Sequence, residues 1–133
     1  MATLNIVNIF AKDMVGLSKF YREVFGFKEI RKYRSPIFRL LDAGKTALGF
    51  NAPAAYDLLE LKAFKKTAGI KIFINFEARS KREVDERVAK AVKKGARLIK
   101  APYVTYYKFY QAVLFDPEGN VFRVNRVLQQ HKS

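Results

Sequence analysis

Two pairs of asparagines stand at matching distances from matching turn signals, and this spacing divides the chain into two copies of one module. Asn8 lies five residues before Asp13 and Asn75 five before Ser80, while Asn51 follows Asp42 by nine residues and Asn125 follows Asp116 by nine. A repeat of this kind reports architecture that local propensity cannot. The interval from Asn8 to Asn75 is 67 residues and that from Asn51 to Asn125 is 74, so the second copy carries seven extra residues. A helix two residues longer and a longer approach to the third strand would absorb them, at places where insertions are tolerated.

Local patterns agree with this division. Leu4 to Phe10 reads as a strand, and Asp13 caps a helix with an apolar stripe at Leu17, Phe20, Tyr21 and Val24, closed by Gly26. Phe27 to Tyr33, Ile37 to Leu41 and Thr46 to Phe50 read as three strands, the last two joined at Asp42-Ala43-Gly44. A connector with Pro53, a short helical pattern and the basic residues Lys62, Lys65 and Lys66 follows. Ile70 to Phe76 then reads as a strand, and Ser80 with Glu83 forms a capping box before a helix striped by Val84, Val88 and Ala91. Ala96 to Ala101, Tyr110 to Phe115 and Asn120 to Val127 supply three more strands, the last two joined by Asp116-Pro117-Glu118-Gly119. The expected fold is α+β: two βαβββ modules pairing into a cupped, eight-stranded mixed sheet with helices outside. One domain over residues 1–133 is expected, with module one at about 1–51, the connector at about 52–69, module two at about 70–128 and a polar tail at 129–133.

Half the residues are hydrophobic, including 12 Phe and 7 Tyr, which is ample for a core and argues against disorder. No window resembles a membrane span and the N-terminus lacks a secretory pattern, so a cytoplasmic protein that does not engage membranes is expected. The absence of cysteine removes disulfides, thiolate nucleophiles and Cys-rich zinc sites together. With 26 Lys and Arg against 12 Asp and Glu, the formal net charge is +14, and anions should be attracted. Charge alone ranks partner classes without choosing among acidic small molecules, nucleic acid and anionic surfaces.

The stretch from Asp13 through Phe20-Tyr21 to Phe25-Gly26-Phe27, together with Asp116-Pro117-Glu118-Gly119-Asn120-Val121-Phe122, resembles the vicinal oxygen chelate superfamily. That group contains glyoxalase I, extradiol dioxygenases, fosfomycin-resistance enzymes and bleomycin-resistance proteins. The resemblance implies a divalent metal held by His, Gln or Glu from the first, fourth, fifth and eighth strands, and a homodimer that completes its pockets across subunits. The corresponding positions here are Ile6, Gly49, Phe73 and Arg123. None offers an imidazole or carboxylate, and Arg has no lone pair to give, so a metal-free variant with no cofactor is expected. A shift of one residue does not restore a ligand set. The single histidine, His131, lies in the polar tail and is assigned no role.

Strand alternation puts the residue two beyond each of these positions on the same face. Those residues are Asn8, Asn51, Asn75 and Asn125. They either bond one another and the strand backbones or present amides to a ligand. Arg123 suits a bidentate carboxylate or phosphate, unless it pairs with Glu77 on the same face. Glu77 could act as a base if burial raised its pKa, but no partner acid is identifiable. The segment Pro102 to Gln111, with Tyr103, Tyr106 and Tyr107, is expected to be a loop bordering a planar or apolar ligand, a dimer interface or a lid. Tyr33 and Phe38 could close the other side.

The expected function is metal-independent binding of a small anionic or aromatic ligand, with no catalytic residue identified. A glyoxalase-like lyase or dioxygenase of the same superfamily is the alternative. Nucleic-acid binding is a second alternative, weakened because the basic residues, such as Arg31, Lys62, Arg82 and Lys94, are scattered and form no recognised motif.

Overall fold

The computed structural model describes residues 3–70 and 72–128. These fall into two compact units that divide between Ala68 and Gly69. His131 lies outside the described residues. No helix among those described is long and apolar enough to cross a membrane.

The first unit runs β1 (Ile6–Phe10), α1 (Met14–Phe25), β2 (Lys28–Glu29), β3 (Phe38–Asp42) and β4 (Ala47–Asn51), followed by the short helix α2 (Ala54–Leu58). Single 3-10 turns lie at Arg31–Tyr33 and Lys62–Phe64. The second unit runs β5 (Ile74–Glu77), α3 (Lys81–Lys93), β6 (Arg97–Val104), β7 (Phe109–Phe115) and β8 (Val121–Val127). Each set of strands forms a four-stranded mixed sheet, with orders β1-β4-β3-β2 and β5-β8-β7-β6. In both, the first and last strands pair in parallel and the rest pair antiparallel. The chain is therefore α+β, two copies of βαβββ with the same strand order, and its eight strands form two sheets of four.

The helix caps follow the sequence signals. Asp13 accepts a hydrogen bond from the Gly16 amide at 2.9 Å, satisfying an otherwise unpaired donor of α1, and Gly26 ends the helix at φ 74°. Ser80 accepts from the Glu83 amide at 3.0 Å, but the Glu83 carboxylate reaches Arg79 N–H at 3.0 Å, one residue outside the expected box. Beneath α1, Leu17, Tyr21 and Val24 pack fully buried with Leu41, Leu48 and Phe50 of the sheet. Each such side chain contributes roughly 1.5–3 kcal/mol on leaving water. Under α3 the buried set is Val84, Val88 and Ala91 with Ala112, Leu114, Phe122 and Val124.

Several boundaries differ from the expected ones, each for a tertiary reason. The strand expected at Phe27–Tyr33 is only two residues long, because Arg34 donates from Nε to Glu29 Oε2 at 2.7 Å and from Nη2 to Oε1, folding Arg31–Tyr33 into a 3-10 turn. The strand expected from Ile70 begins at Ile74, and in the register of β5 with β8 Ile70 and Ile72 would fall opposite the turn that precedes Val121. The segment expected as a loop at Pro102–Gln111 is mostly hairpin: Pro102 to Val104 belong to β6, Phe109 to Gln111 to β7, and only Thr105–Lys108 turns. Pro102 is accommodated because β6 is an edge strand whose register slips between Lys100 and Tyr103. The seven extra residues of module two lie chiefly here, with β6 eight residues against two in β2. Helix α3 is longer than α1 by one residue, 13 against 12, with Lys94 capping it before Gly95 whereas Gly26 itself caps α1, so that the span from cap to glycine is the expected two residues longer.

The Glu29–Arg34 fork predicts an acid signature. The hydrogen bond from Arg34 holds the Glu29 carboxyl below the usual carboxylate range. A depressed folded-state value means the stabilisation is complete above the unfolded value, about 4.3, and is lost as pH falls through the folded one. Chemical denaturation of wild type and Glu29→Gln should therefore show a stability difference at pH 7 that shrinks as the pH is lowered toward 3; a pH-independent difference would refute this.

Candidate functional site

Register fixes which side chains share a face of each sheet. In module two, α3 takes the face bearing Phe122, Val124, Ala112 and Leu114, so the partners aligned with Arg123 and Asn125 occupy the opposite face. Asn75 aligns with Arg123, Glu77 with Asn125, Gln111 with Asn125, and Tyr103 with Gln111. Alternation thus brings Phe73, Asn75, Glu77, Tyr103, Gln111, Arg123 and Asn125 to one surface.

Arg123 is the hub of that surface. Its Nε donates to Asn75 Oδ1 at 2.8 Å and its Nη1 to the Tyr107 hydroxyl at 3.1 Å, which in turn donates to Gln111 Oε1 at 3.0 Å. The guanidinium lies over the Phe73 ring, 4.7 Å from its centroid. All these partners are neutral. Among the described residues Arg123 forms no ion pair, and the alternative pairing with Glu77 does not occur. The hub therefore keeps an uncompensated positive charge, oriented by Asn75 and Tyr107, with its Nη2 hydrogens uncommitted.

Beside it, Asn125 is 3% exposed and its Oδ1 has no hydrogen-bond partner among the described residues. A buried acceptor without a donor costs roughly 1–3 kcal/mol, so it marks a place where a donor belongs. Two positions along a strand separate Asn125 from Arg123 by about 7 Å.

In module one, Asn8, Gly49, Phe38 and Asn51 share the face opposite α1. Asn51 Nδ2 donates to Asn8 Oδ1 at 3.1 Å and to the Ile9 carbonyl at 3.5 Å. The two amides are thus joined by one hydrogen bond, with Asn8 exposed at the sheet surface. A Cβ on Gly49 would stand 2.3 Å from Asn8 Oδ1 and 3.0 Å from Phe38 Cε1, so the Asn8 amide and Phe38 ring already fill the space a fourth-strand side chain would need.

The divalent metal implied by the resemblance does not suit these residues. Ile6 and Phe73 carry no lone pair, Gly49 has no side chain and no room for one, and Arg123 is a cation. Among the described residues no three His, Cys, Asp or Glu side chains gather as a ligand set.

The expected tyrosines differ in their surroundings. Tyr106 is 94% exposed at the hairpin turn and meets Tyr107 edge-on, with ring centroids 4.9 Å apart. Tyr103 is half-buried on β6 with the Lys100 ammonium 3.9 Å above its ring. Tyr33 is half-exposed in its 3-10 turn. Gln111, buried and joined to the hub through Tyr107, was not singled out by the sequence reading. Its signal was the antiparallel register opposite Asn125, which depends on knowing that the supposed loop is strand.

The Glyoxalase/Bleomycin resistance protein/Dioxygenase superfamily model matches residues 3–124. Among solved structures, a glyoxalase/bleomycin resistance protein/dioxygenase family enzyme from Burkholderia phytofirmans PsJN is 57% identical, covers 96% of this chain and all of its own length, and superposes with a TM-score of 0.93. A lactoylglutathione lyase from Agrobacterium tumefaciens is 21% identical, with 95% and 94% of the two chains covered and a TM-score of 0.71. A glyoxalase-related enzyme from Fulvimarina pelagi is 15% identical over 95% and 88%, with a TM-score of 0.78. At these lower identities the likeness is one of fold. No curated protein matches the sequence.

The crowding at Gly49 is open to a double-mutant cycle. Gly49→Ala should destabilise the protein by about 1–3 kcal/mol through overpacking, and should cost distinctly less in an Asn8→Ala background, where the obstructing amide is gone. Equal costs in the two backgrounds, measured by urea denaturation, would show that Asn8 does not fill that space.

Proposed function

The chain belongs to the Glyoxalase/Bleomycin resistance protein/Dioxygenase superfamily, and from that footing we propose that it binds a small anionic aromatic molecule without a metal, using Arg123 as the anchor. The observation carrying this reading is the Arg123 guanidinium, held by Asn75 and Tyr107 and left without a counter-charge. A carboxylate or phosphate would accept from its free edge, where a charge-assisted fork is stronger than a neutral hydrogen bond. Phe73, Tyr103 and Tyr107 supply aromatic surface on the same module, suited to a planar group. Asn125 Oδ1 calls for an N–H or O–H donor on the ligand. The high net positive charge speeds the approach of such a ligand.

Benzoate and phenyl phosphate, with neutral benzamide as control, provide the test by titration calorimetry or NMR. The anionic probes should bind more tightly than benzamide. Arg123→Gln should weaken them by about 10- to 100-fold, the equivalent of losing roughly 1.5–3 kcal/mol of charge-assisted bonding, and leave benzamide unchanged. Equal affinity for charged and neutral probes, or no effect of the substitution, would overturn the proposal.

The 57% identical Burkholderia protein is described as an enzyme, which favours a second reading, that of a metal-dependent lyase or dioxygenase. Such chemistry relies on a Lewis acid to polarise oxygen. The donor set at Ile6, Gly49, Phe73 and Arg123 supports the first reading over it. Elemental analysis of the purified protein should find well under one divalent ion per chain. A tightly held ion near one per chain, with turnover of a hemithioacetal or catechol abolished by chelation, would establish the second.

A further inference from the structure

On the opposite side of module one's sheet, where α1 covers it, lies a recess of about 190 Å³ lined by Val15, Ser18, Lys19, Arg22, Glu29, Arg34, Arg39 and Leu41. Its construction follows from two periodicities. Val15, Ser18, Lys19 and Arg22 recur at helical spacing along one face of α1, while Arg39 and Leu41 alternate onto the α1 side of β3, with Glu29 of β2 aligned beside Leu41. Four cations thus face one recess with a single carboxylate.

That carboxylate is already engaged, since both Glu29 oxygens accept from Arg34. Arg39 is anchored through Nη1, which donates to the Ser35 carbonyl at 2.6 Å and the Phe38 carbonyl at 2.9 Å, leaving its Nε and Nη2 hydrogens uncommitted. The Arg22 side chain makes no ion pair or hydrogen bond among the described residues. Lys19 reaches Glu23 only at 3.8 Å and is largely exposed. The recess therefore concentrates like charges around oriented, unused guanidinium donors, an arrangement that repels itself when empty and attracts an anion. Its volume is below the roughly 300 Å³ at which drug-sized pockets begin, so the group it admits is small.

We propose that this recess is a second anion site, separate from the Arg123 surface and independent of the function proposed for it, which takes a phosphate group, free or as a small monoester. Phosphate fits better than carboxylate because its charge of about −1.5 to −2 at pH 7 and its three acceptor oxygens match several guanidinium donors converging from α1 and β3.

The test is an amide NMR titration of the full chain with inorganic phosphate and, separately, methyl phosphate, at constant ionic strength kept with chloride. Saturable shifts of the segments around Val15–Arg22 and Arg34–Leu41 are expected, distinct from those at the Arg123 surface, with affinity read at these segments at least about tenfold weaker in Arg22→Gln and in Arg39→Gln, and retained in Arg123→Gln. Arg22→Gln removes no side-chain hydrogen bond among the described residues, so it tests the site even where loss of the Arg39 anchors unfolds the chain. Tighter binding of methyl phosphate identifies a monoester and tighter binding of the inorganic ion identifies free phosphate, and either supports the site. At these segments, shifts that only rise linearly with concentration, that persist undiminished in Arg22→Gln, or that vanish only in Arg123→Gln would overturn it.

Discussion

Burial of one sheet face beneath a single helix governs what each module can offer a ligand. Once Leu48 and Phe50 are committed to α1, or Phe122 and Val124 to α3, the two-residue period of the strand leaves Gly49, Asn51, Arg123 and Asn125 on the other face. A slip of one residue would bury Arg123 under α3 and expose the core. The energy that fixes the register is hydrophobic, roughly 1.5–3 kcal/mol for each buried side chain, and summed over the core it exceeds that of any single polar contact on the opposite face. The polar surface inherits its precision from the apolar one.

The two modules use the same frame for different ends. In module one, Asn51 donates to Asn8 over Gly49, which has no side chain of its own. In module two the place of Gly49 is taken by Arg123, whose long side chain draws Asn75, Tyr107 and, through it, Gln111 into one chain of neutral partners. The turns diverge likewise. Asp116 is buried and accepts from the amides of Glu118 and Asn120, each at 2.9 Å, whereas exposed Asp42 accepts from the Gly44 amide at 3.0 Å. The firmer turn delivers β8 to its place, and β8 carries both Arg123 and the Asn125 oxygen that lacks a hydrogen-bond partner among the described residues.

Charge has a corresponding logic. Much of the net +14 is spread over exposed lysines and arginines, where solvent screens each one. Arg123 differs because its neighbours orient it without neutralising it. The α1 recess differs because four cations share it with one carboxylate that Arg34 already occupies. Neither property is visible in a count of basic residues.

The amino-acid sequence by itself determined the two modules, the caps at Asp13, Ser80 and Gly26, the Asp-led turns, the faces on which Asn8, Asn51, Asn75 and Asn125 stand, and the absence of metal-binding side chains at the four positions. These are local or periodic properties, set by backbone sterics, capping and alternation. Only the tertiary structure decided that Phe27–Tyr33 would stop after two strand residues, that Pro102–Gln111 would become a hairpin, that Arg123 would take Asn75 and Tyr107 in place of Glu77, and that Arg22 and Arg39 would face one recess. Each of those outcomes depends on which strand or side chain arrives from elsewhere in the chain, and contacts between residues distant in sequence leave no period for the sequence to display.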